Sequence, residues 1–71
     1  MSTADTDRRS LPVPDGLDGI RLDAAIARMF GLSRTAAAAL VDDGQVSVDG
    51  QVRGRSDRVS GGAWLDVALP A

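Results

Sequence analysis

Two stretches of the chain repeat their apolar residues every three to four positions, which is the spacing of a helix with one buried face. The first stretch covers residues 21–30, and Gly31 follows it. Glycine commonly ends a helix because it adopts the left-handed conformation without strain. The sequence therefore predicts a helix over residues 21–30, with a buried face that consists of Leu22, Ala25, Ile26, Met29 and Phe30.

A second helix is predicted directly after Ser33, whose hydroxyl suits the N-cap because it can accept a hydrogen bond from a free amide of the first turn. Four consecutive alanines give this stretch a high helix propensity, and Gly44 ends it. The link between the two helices, Gly31-Leu32, is short enough to force them into contact. The predicted buried stripe of the second helix consists of Ala36, Ala37, Leu40 and Val41.

After the second predicted helix, apolar residues alternate with polar ones, which is the pattern of a strand. Valines alternate over residues 45–48 and 51–53, and Asp49-Gly50 stands between the two runs. Asp-Gly in this setting predicts a β-hairpin with a tight type I′ turn. A last strand is predicted over residues 64–69, with an apolar face that consists of Leu65, Val67 and Leu69.

The N-terminal residues contribute little to this pattern. Residues 1–10 are polar and mixed in charge, so we expect a disordered lead-in there. Residues 11–14 suit a short edge strand, where proline is tolerated. We expect one folded domain over residues 11–70, of class α+β, with two short packed helices on one face of a small antiparallel β-sheet.

Composition narrows the functions that this fold can carry. The chain has 71 residues and contains neither cysteine nor histidine. Disulfides, thiolate metal sites and histidine-based catalysis are therefore excluded, and the core is too small to enclose an active site. We expect no catalysis by this chain alone, no cofactor, no metal and no small-molecule substrate. Without an apolar run of membrane-spanning or signal-peptide type, we expect a cytoplasmic protein with no membrane partner. We also expect a monomer.

The charged residues are all arginine or aspartate, with 8 of the first and 10 of the second, so the net charge is −2. This balance argues mildly against a nucleic-acid partner, because phosphate contacts dominate such affinity. The segment 21–58 nevertheless has a small excess of arginine over aspartate. Any phosphate-binding surface is therefore expected within that segment.

The start of the second predicted helix is the strongest candidate for chemistry. Ser33, Arg34 and Thr35 place two hydroxyls and a guanidinium around free backbone amides, and helix N-termini attract phosphate. Arginine adds a fork that fits two phosphate oxygens. A serine cap followed by exposed polar residues has the same pattern, so a purely structural role remains open.

Arg21 is a second candidate, because a positive charge at the start of a helix opposes the helix dipole. Such a placement indicates either a ligand or a salt bridge with Asp18, Asp23 or Asp42. Both interpretations remain open on the sequence.

Three further arginines follow the hairpin: Arg53, Arg55 and Arg58. They either track a phosphate backbone or belong to a solvated loop that Asp57 balances. Trp64 is the one large planar side chain able to stack on a base, and its alternative role is that of a partly buried strand residue.

Four short motifs, in order, resemble the RNA-binding domain first defined in small-subunit ribosomal protein S-four, which is also called the alpha-L motif. The resemblance spans residues 19–69. A lead-in at 11–16 and the turn at 60–62 are similar to large-subunit rRNA pseudouridine synthases. The motifs are Gly19-x-Arg21-Leu22-Asp23, Leu32-Ser33-Arg34, Gly44-x-Val46-x-Val48-Asp49-Gly50, and Val59-x-Gly61-Gly62 followed by Leu65-x-Val67.

The resemblance implies a module that recognises structured RNA, either rRNA or tRNA, by its shape and backbone, and we expect rRNA. It also implies that the RNA-binding surface runs over both helices and the start of the hairpin. The pseudouridine-forming aspartate of those enzymes lies in a separate domain, so no catalytic residue is expected here. The expected RNA-binding residues are Arg21, Ser33, Arg34, Thr35, Gln45, Asp49, Arg53 and Arg55.

Two departures from the family pattern predict weaker RNA binding than that of a typical member. Asp49 stands at the hairpin turn where the family usually has asparagine, and this adds a negative charge. Residues 36–39 are all alanine, where a basic residue is common in the family. A module of this kind is expected to guide a larger enzyme.

The sequence leaves three functions open. The first is the N-terminal targeting domain of a pseudouridine synthase that isomerises uridine in rRNA without a cofactor. The second is a free-standing RNA-binding module of the ribosome-associated heat-shock type, or the front domain of an rRNA methyltransferase. The third, of another class, is a protein-interaction domain without RNA binding, which the sequence pI of about 4.7 favours.

Overall fold

The structure is a computed structural model that describes residues 6–70. Within those residues, two helices pack on a four-stranded antiparallel sheet, as predicted. A short 3-10 turn, Asp15–Leu17, precedes the first helix. The elements are β1 (Thr6–Pro12), α1 (Leu22–Phe30), α2 (Arg34–Asp42), β2 (Val46–Val48), β3 (Gln51–Val52) and β4 (Trp64–Pro70).

The strand β4 organises the sheet, whose order is β1-β4-β2-β3. It pairs with β1 along one edge and with β2 along the other. On the β2 side, Val46 lies opposite Val67 and Val48 lies opposite Leu65. All four side chains are buried, so this face of the sheet forms the floor of the core beneath the helices.

The strand β1 begins earlier than expected. Residues 6–10, predicted as part of a disordered lead-in, pair with the C-terminal half of β4. Strand pairing uses backbone groups, and an edge strand tolerates polar side chains, so a polar sequence does not prevent it. The strand ends at Pro12, not at Pro14. Residues 1–5, the rest of the expected lead-in, lie outside the described part of the chain.

The helix α1 has the predicted boundaries to within one residue, with Arg21 as its N-cap. Leu22, Ala25 and Ile26 are fully buried. Gly31 ends the helix with a φ of 67°, the left-handed conformation expected of it. Met29 and Phe30, the other two predicted members of the buried face, are partly buried and pack against the core. The periodicity of this segment therefore identified the helix and the face that it turns to the core.

The buried face of α2 differs from the prediction by one alanine. Ala37 and Val41 are buried as expected, but Ala38 is buried in place of Ala36, which is exposed. Leu40, the remaining predicted member, is partly buried against the core. A run of identical alanines has no periodicity, so it does not indicate which member contacts the core.

Neither helix in the described range is long or apolar enough to cross a membrane alone. Taken together, with a 119° bend between them, the two helices meet that requirement of length and composition.

The hairpin between β2 and β3 has the predicted turn. Asp49 and Gly50 have φ angles of 51° and 82°, and a type I′ turn requires positive φ at both central residues. The chain then returns through residues 53–63 to the start of α1. Val59 is buried, and its backbone exchanges hydrogen bonds with Gly19 and Ile20 at 2.8 and 2.9 Å.

Candidate nucleic-acid interface

The carboxylate of Asp23 joins the starts of the two helices. Arg21 donates from Nε to Asp23 Oδ1 at 3.2 Å and from Nη2 to Oδ2 at 3.1 Å. Nη2 of Arg34 lies 3.5 Å from Oδ1. The backbone amide of Ala24 also donates to Oδ1, at 2.8 Å. The salt bridge of Arg21 with Asp23, one of the alternatives that the sequence left open, is therefore formed.

The two arginines of this cluster remain accessible although the carboxylate is not. The side chains of Arg21 and Arg34 are 43% and 58% exposed, whereas the side chain of Asp23 is 5% exposed. Two guanidinium groups and one carboxylate carry a net charge of +1. The positive groups lie at the surface and the negative group lies beneath them, so the cluster presents positive charge to solvent.

The ionisation state of Asp23 follows from these contacts. Burial works to raise the pKa of Asp23. The hydrogen bonds from Arg21 and from the Ala24 amide, together with the charges of Arg21 and Arg34, outweigh burial, so the pKa lies below its ordinary value. Asp23 is therefore ionised at neutral pH.

The first turn of α1 has no free amides to offer a ligand at its start. The amide of Leu22 donates to the carbonyl of Asp57 at 2.7 Å, and the amide of Asp23 donates to the carbonyl of Arg55 at 3.2 Å. The loop after the hairpin thus closes this helix end. An anion at the start of α1 therefore meets side-chain donors, such as those of Arg21, in place of free backbone amides.

The first turn of α2 is different, because a side chain caps it. Ser33 Oγ accepts a hydrogen bond from the amide of Ala36 at 3.0 Å, which confirms the predicted N-cap. The amides of Arg34 and Thr35 lie between these two residues and have no acceptor within the helix. Exposed serine, arginine and threonine side chains surround them.

A shallow groove of about 360 Å³ follows α2 from Arg34 to Asp42. Across the groove, Arg55 of the loop after the hairpin pairs with Asp42, with 2.9 Å between Nη2 and Oδ2. Small side chains on the helix leave the groove open. Its lining consists of Asp23, Arg34, Thr35, Ala38, Ala39, Asp42 and Arg55.

The structure brings together part of the expected RNA-binding set. Arg34, Thr35 and Arg55 line the groove, Arg21 joins Arg34 through Asp23, and Ser33 caps α2 beside them. The assignment of these residues to RNA binding stays a prediction.

The remaining expected residues lie outside the groove. Gln45 contacts the carbonyl of Asp43 with Nε2 at 3.5 Å, and Arg53 donates to Gln51 Oε1 at 3.4 Å. Asp49 has a structural contact, since its Oδ1 accepts a hydrogen bond from the amide of Trp64 at 2.9 Å. The hairpin turn is thereby fixed to the start of β4.

The arginines of the loop after the hairpin are not paired with Asp57, as had been expected. Asp57 accepts a hydrogen bond from the amide of Gly54 at 2.9 Å, and Arg58 donates to the carbonyl of Gly19 at 2.9 Å. The aspartate that pairs with an arginine of this loop is Asp42. Between residues 6 and 70, no cluster of acidic residues is suited to hold a metal ion.

Asp23 and Asp42 were named from the sequence only as possible salt-bridge partners of Arg21, not as residues of the site. Asp23 takes that part and also contacts Arg34. Asp42 pairs with Arg55 instead, which lies beyond the hairpin and meets Asp42 only in the folded chain.

Residues 20–65 match the model of the S4 domain family. The chain belongs to the S4 domain family. The S4 domain is an RNA-binding domain, and the match contains both helix starts, the groove and the hairpin.

Two relatives of this S4 domain are named uncharacterized RNA pseudouridine synthases, one from Mycobacterium bovis and one from Mycobacterium tuberculosis. Each is 58% identical to the chain over 62 residues. The match covers 87% of this chain and 20% of each relative. The chain therefore spans about one fifth of the length of these relatives.

Proposed function

We propose that this S4 domain binds structured RNA, with rRNA as its target, and serves as the RNA-targeting domain of a pseudouridine synthase. The family match supports RNA binding, and the 58% identity to two proteins named RNA pseudouridine synthases supports the link to that class. On this proposal the rest of the protein isomerises uridine. The domain itself acts in the cytoplasm as a monomer and contributes affinity and orientation.

The observation that carries the proposal is the convergence of Arg21 and Arg34, from different helices, on one buried carboxylate. Guanidinium groups bind phosphate through forked hydrogen bonds. Beside them, the small side chains of Ala38 and Ala39 let a sugar–phosphate backbone approach α2 closely. Arg55 stands on the other side of the groove. Contacts of this kind bind the backbone and shape of a folded RNA and do not select a base.

A titration of structured rRNA fragments against this chain tests the proposal. Arg34→Ala is expected to weaken binding by about 1–3 kcal/mol, because it removes a charge-assisted phosphate contact. The affinity of the unsubstituted chain is expected to fall between 50 and 200 mM salt, since bound phosphates release counterions.

Arg28→Ala is the matched control, since Arg28 is an exposed arginine of α1 that does not line the groove. Equal losses from Arg34→Ala and Arg28→Ala would indicate general charge attraction without a dedicated site. RNA binding that is absent, or that responds neither to Arg34→Ala nor to salt, would favour the protein-interaction function, which the net charge of −2 supports.

A further inference from the structure

We propose that Asp23 is a positioning residue for RNA binding: its buried carboxylate holds Arg21 and Arg34 in one fixed arrangement, so that both guanidinium groups meet the same stretch of RNA backbone. This inference rests on the proposed RNA-binding function. It assigns a role to an acidic residue inside a surface that binds a polyanion.

The contacts of Asp23 fit this role. Asp23 is the one buried charged residue in the described part of the chain, with 3% of its surface exposed. Both carboxylate oxygens contact a guanidinium, Oδ2 that of Arg21 and Oδ1 those of Arg21 and Arg34. The two guanidinium groups therefore shield most of this carboxylate from a ligand in the groove.

Each arginine keeps donors for a ligand. A guanidinium has five N–H donors in a planar fork. Arg21 uses Nε and Nη2 on Asp23, which leaves Nη1 free of that contact, and Arg34 uses Nη2 alone. The pair therefore retains several donors while its orientation is restricted, and restriction before binding lowers the entropy that binding costs.

The backbone of Asp23 adds a separate connection to the third arginine of the site. Its amide donates to the carbonyl of Arg55 at 3.2 Å, and the neighbouring amide of Leu22 holds the same loop through Asp57. A substitution of the Asp23 side chain leaves these backbone bonds possible. Such a substitution therefore tests the arrangement of Arg21 and Arg34 with the loop that carries Arg55 still attached.

The direction in which Asp23→Asn changes RNA affinity distinguishes a positioning role of Asp23 from a simple effect of its charge. Asp23→Asn removes a negative charge beside the proposed phosphate site, so a charge effect alone would strengthen RNA binding. Positioning predicts the opposite, because asparagine keeps the size of aspartate but presents one oxygen in place of two and adds N–H donors that face the arginines. We expect Asp23→Asn to weaken binding about tenfold.

The matched control is Asp43→Asn, which removes the same charge from the C-cap of α2, an exposed position that does not line the groove. We expect Asp43→Asn to leave RNA affinity unchanged or to strengthen it slightly. Asp23→Glu, which keeps the charge, is expected to recover part of the affinity. All titrations use the 71-residue chain, one structured rRNA fragment and a temperature at which each variant gives a folded amide spectrum.

A second measurement needs no RNA, and its first comparison needs no substituted chain. The Nε–H signals of Arg21 and Arg34 in the free chain report how rigidly the guanidinium groups are held. We expect both signals to be markedly more ordered than that of Arg53, whose side chain lies outside the cluster, and we expect Asp23→Asn to remove the difference.

The outcomes separate the two proposals. If the unsubstituted chain does not bind structured RNA, the proposed function is refuted and this inference fails with it. If the unsubstituted chain binds RNA and folded Asp23→Asn binds equally well or better, the inference alone is overturned. It is also overturned if Arg21 and Arg34 are as mobile as Arg53 in the free chain.

Discussion

Asp42 and Arg55 form an ion pair across the groove beside α2, with 2.9 Å between Oδ2 and Nη2. Asp42 is the last residue of α2, and Arg55 belongs to the loop that follows the hairpin. If Arg55 contacts RNA as proposed, Asp42 would compete with a phosphate for this guanidinium. Asp42 would then oppose RNA binding locally, besides lowering the net charge.

Asp42→Asn is predicted to strengthen RNA binding by about two- to fivefold, the range that corresponds to an exposed ion pair. The substitution releases Arg55 and removes a negative charge from the groove. Both side chains of the pair are about half exposed, so the free energy of unfolding is expected to change by less than about 1 kcal/mol. Titration with a structured rRNA fragment at low salt, together with urea denaturation, measures both effects.

The control for Asp42→Asn is the neighbouring Asp43→Asn, which removes an equal charge outside the groove. A gain in affinity that is the same for both variants would show that Arg55 is not specifically released. Weaker RNA binding by Asp42→Asn would mean that the ion pair holds Arg55 in the position that RNA needs.

Local sequence signals predicted the helix ends and the hairpin turn, because the residues responsible are neighbours in the chain. Ser33 caps the helix that starts one residue later, and Asp49-Gly50 forms the turn in its own place. These features need no knowledge of the tertiary structure. The same signals carry the resemblance to the family, which added Gln45 and Asp49 to the RNA-binding candidates that the helix starts and the loop arginines had already indicated.

The arrangement of the site was harder to predict, because it depends on residues that meet only after folding. The link between Asp23 and Arg34 requires the packing of α1 against α2, and the pairing of Arg55 with Asp42 requires the hairpin to return to α2. The strand at residues 6–10 depends in the same way on the free edge of β4. Polar sequence alone therefore led to a prediction of disorder there.

Folding stability is predicted to fall in acid as Asp23 takes up a proton. Its pKa is lower in the folded chain than the ordinary value, which is about 3.9 in unfolded peptides. The stabilising contribution of the carboxylate is therefore fully present above that value. It is lost as the pH falls through the lower pKa of the folded state.

Urea denaturation between pH 2 and pH 7 measures this dependence. Asp23→Asn is expected to be less stable than the unsubstituted chain at pH 7, by about 1–3 kcal/mol, and to lose less stability in acid. Asp7→Asn is the control, because the hydrogen bond from Arg9 also lowers the pKa of Asp7, although that pair is exposed. If the free energy of unfolding depends on pH in the same way for Asp23→Asn and for the unsubstituted chain, the loss of stability in acid does not come from Asp23.

Trp64 lies on the side of the sheet away from the groove, and this leads to a prediction about base stacking. Leu65 faces the core, and side chains of successive strand residues point to opposite faces, so Trp64 points outward; it is 48% exposed. RNA bound along α2, as proposed, would not contact this face. Trp64→Ala is therefore predicted to change RNA affinity by less than about twofold, whereas a base stacked on an aromatic side chain is worth about 1–3 kcal/mol.

The effect of Trp64→Ala is measured in the same RNA titrations as those of Arg34→Ala and Arg28→Ala. The chain has a single tryptophan, so quenching of its fluorescence when RNA is added to the unsubstituted chain gives an independent readout. Unchanged fluorescence and affinity would indicate that RNA does not contact the outer face of the sheet at Trp64. A loss of tenfold or more, with the amide spectrum still folded, would place the RNA across the sheet. The groove beside α2 would then not be the main binding surface, and the RNA-binding roles proposed for Arg34 and Arg55 would be refuted.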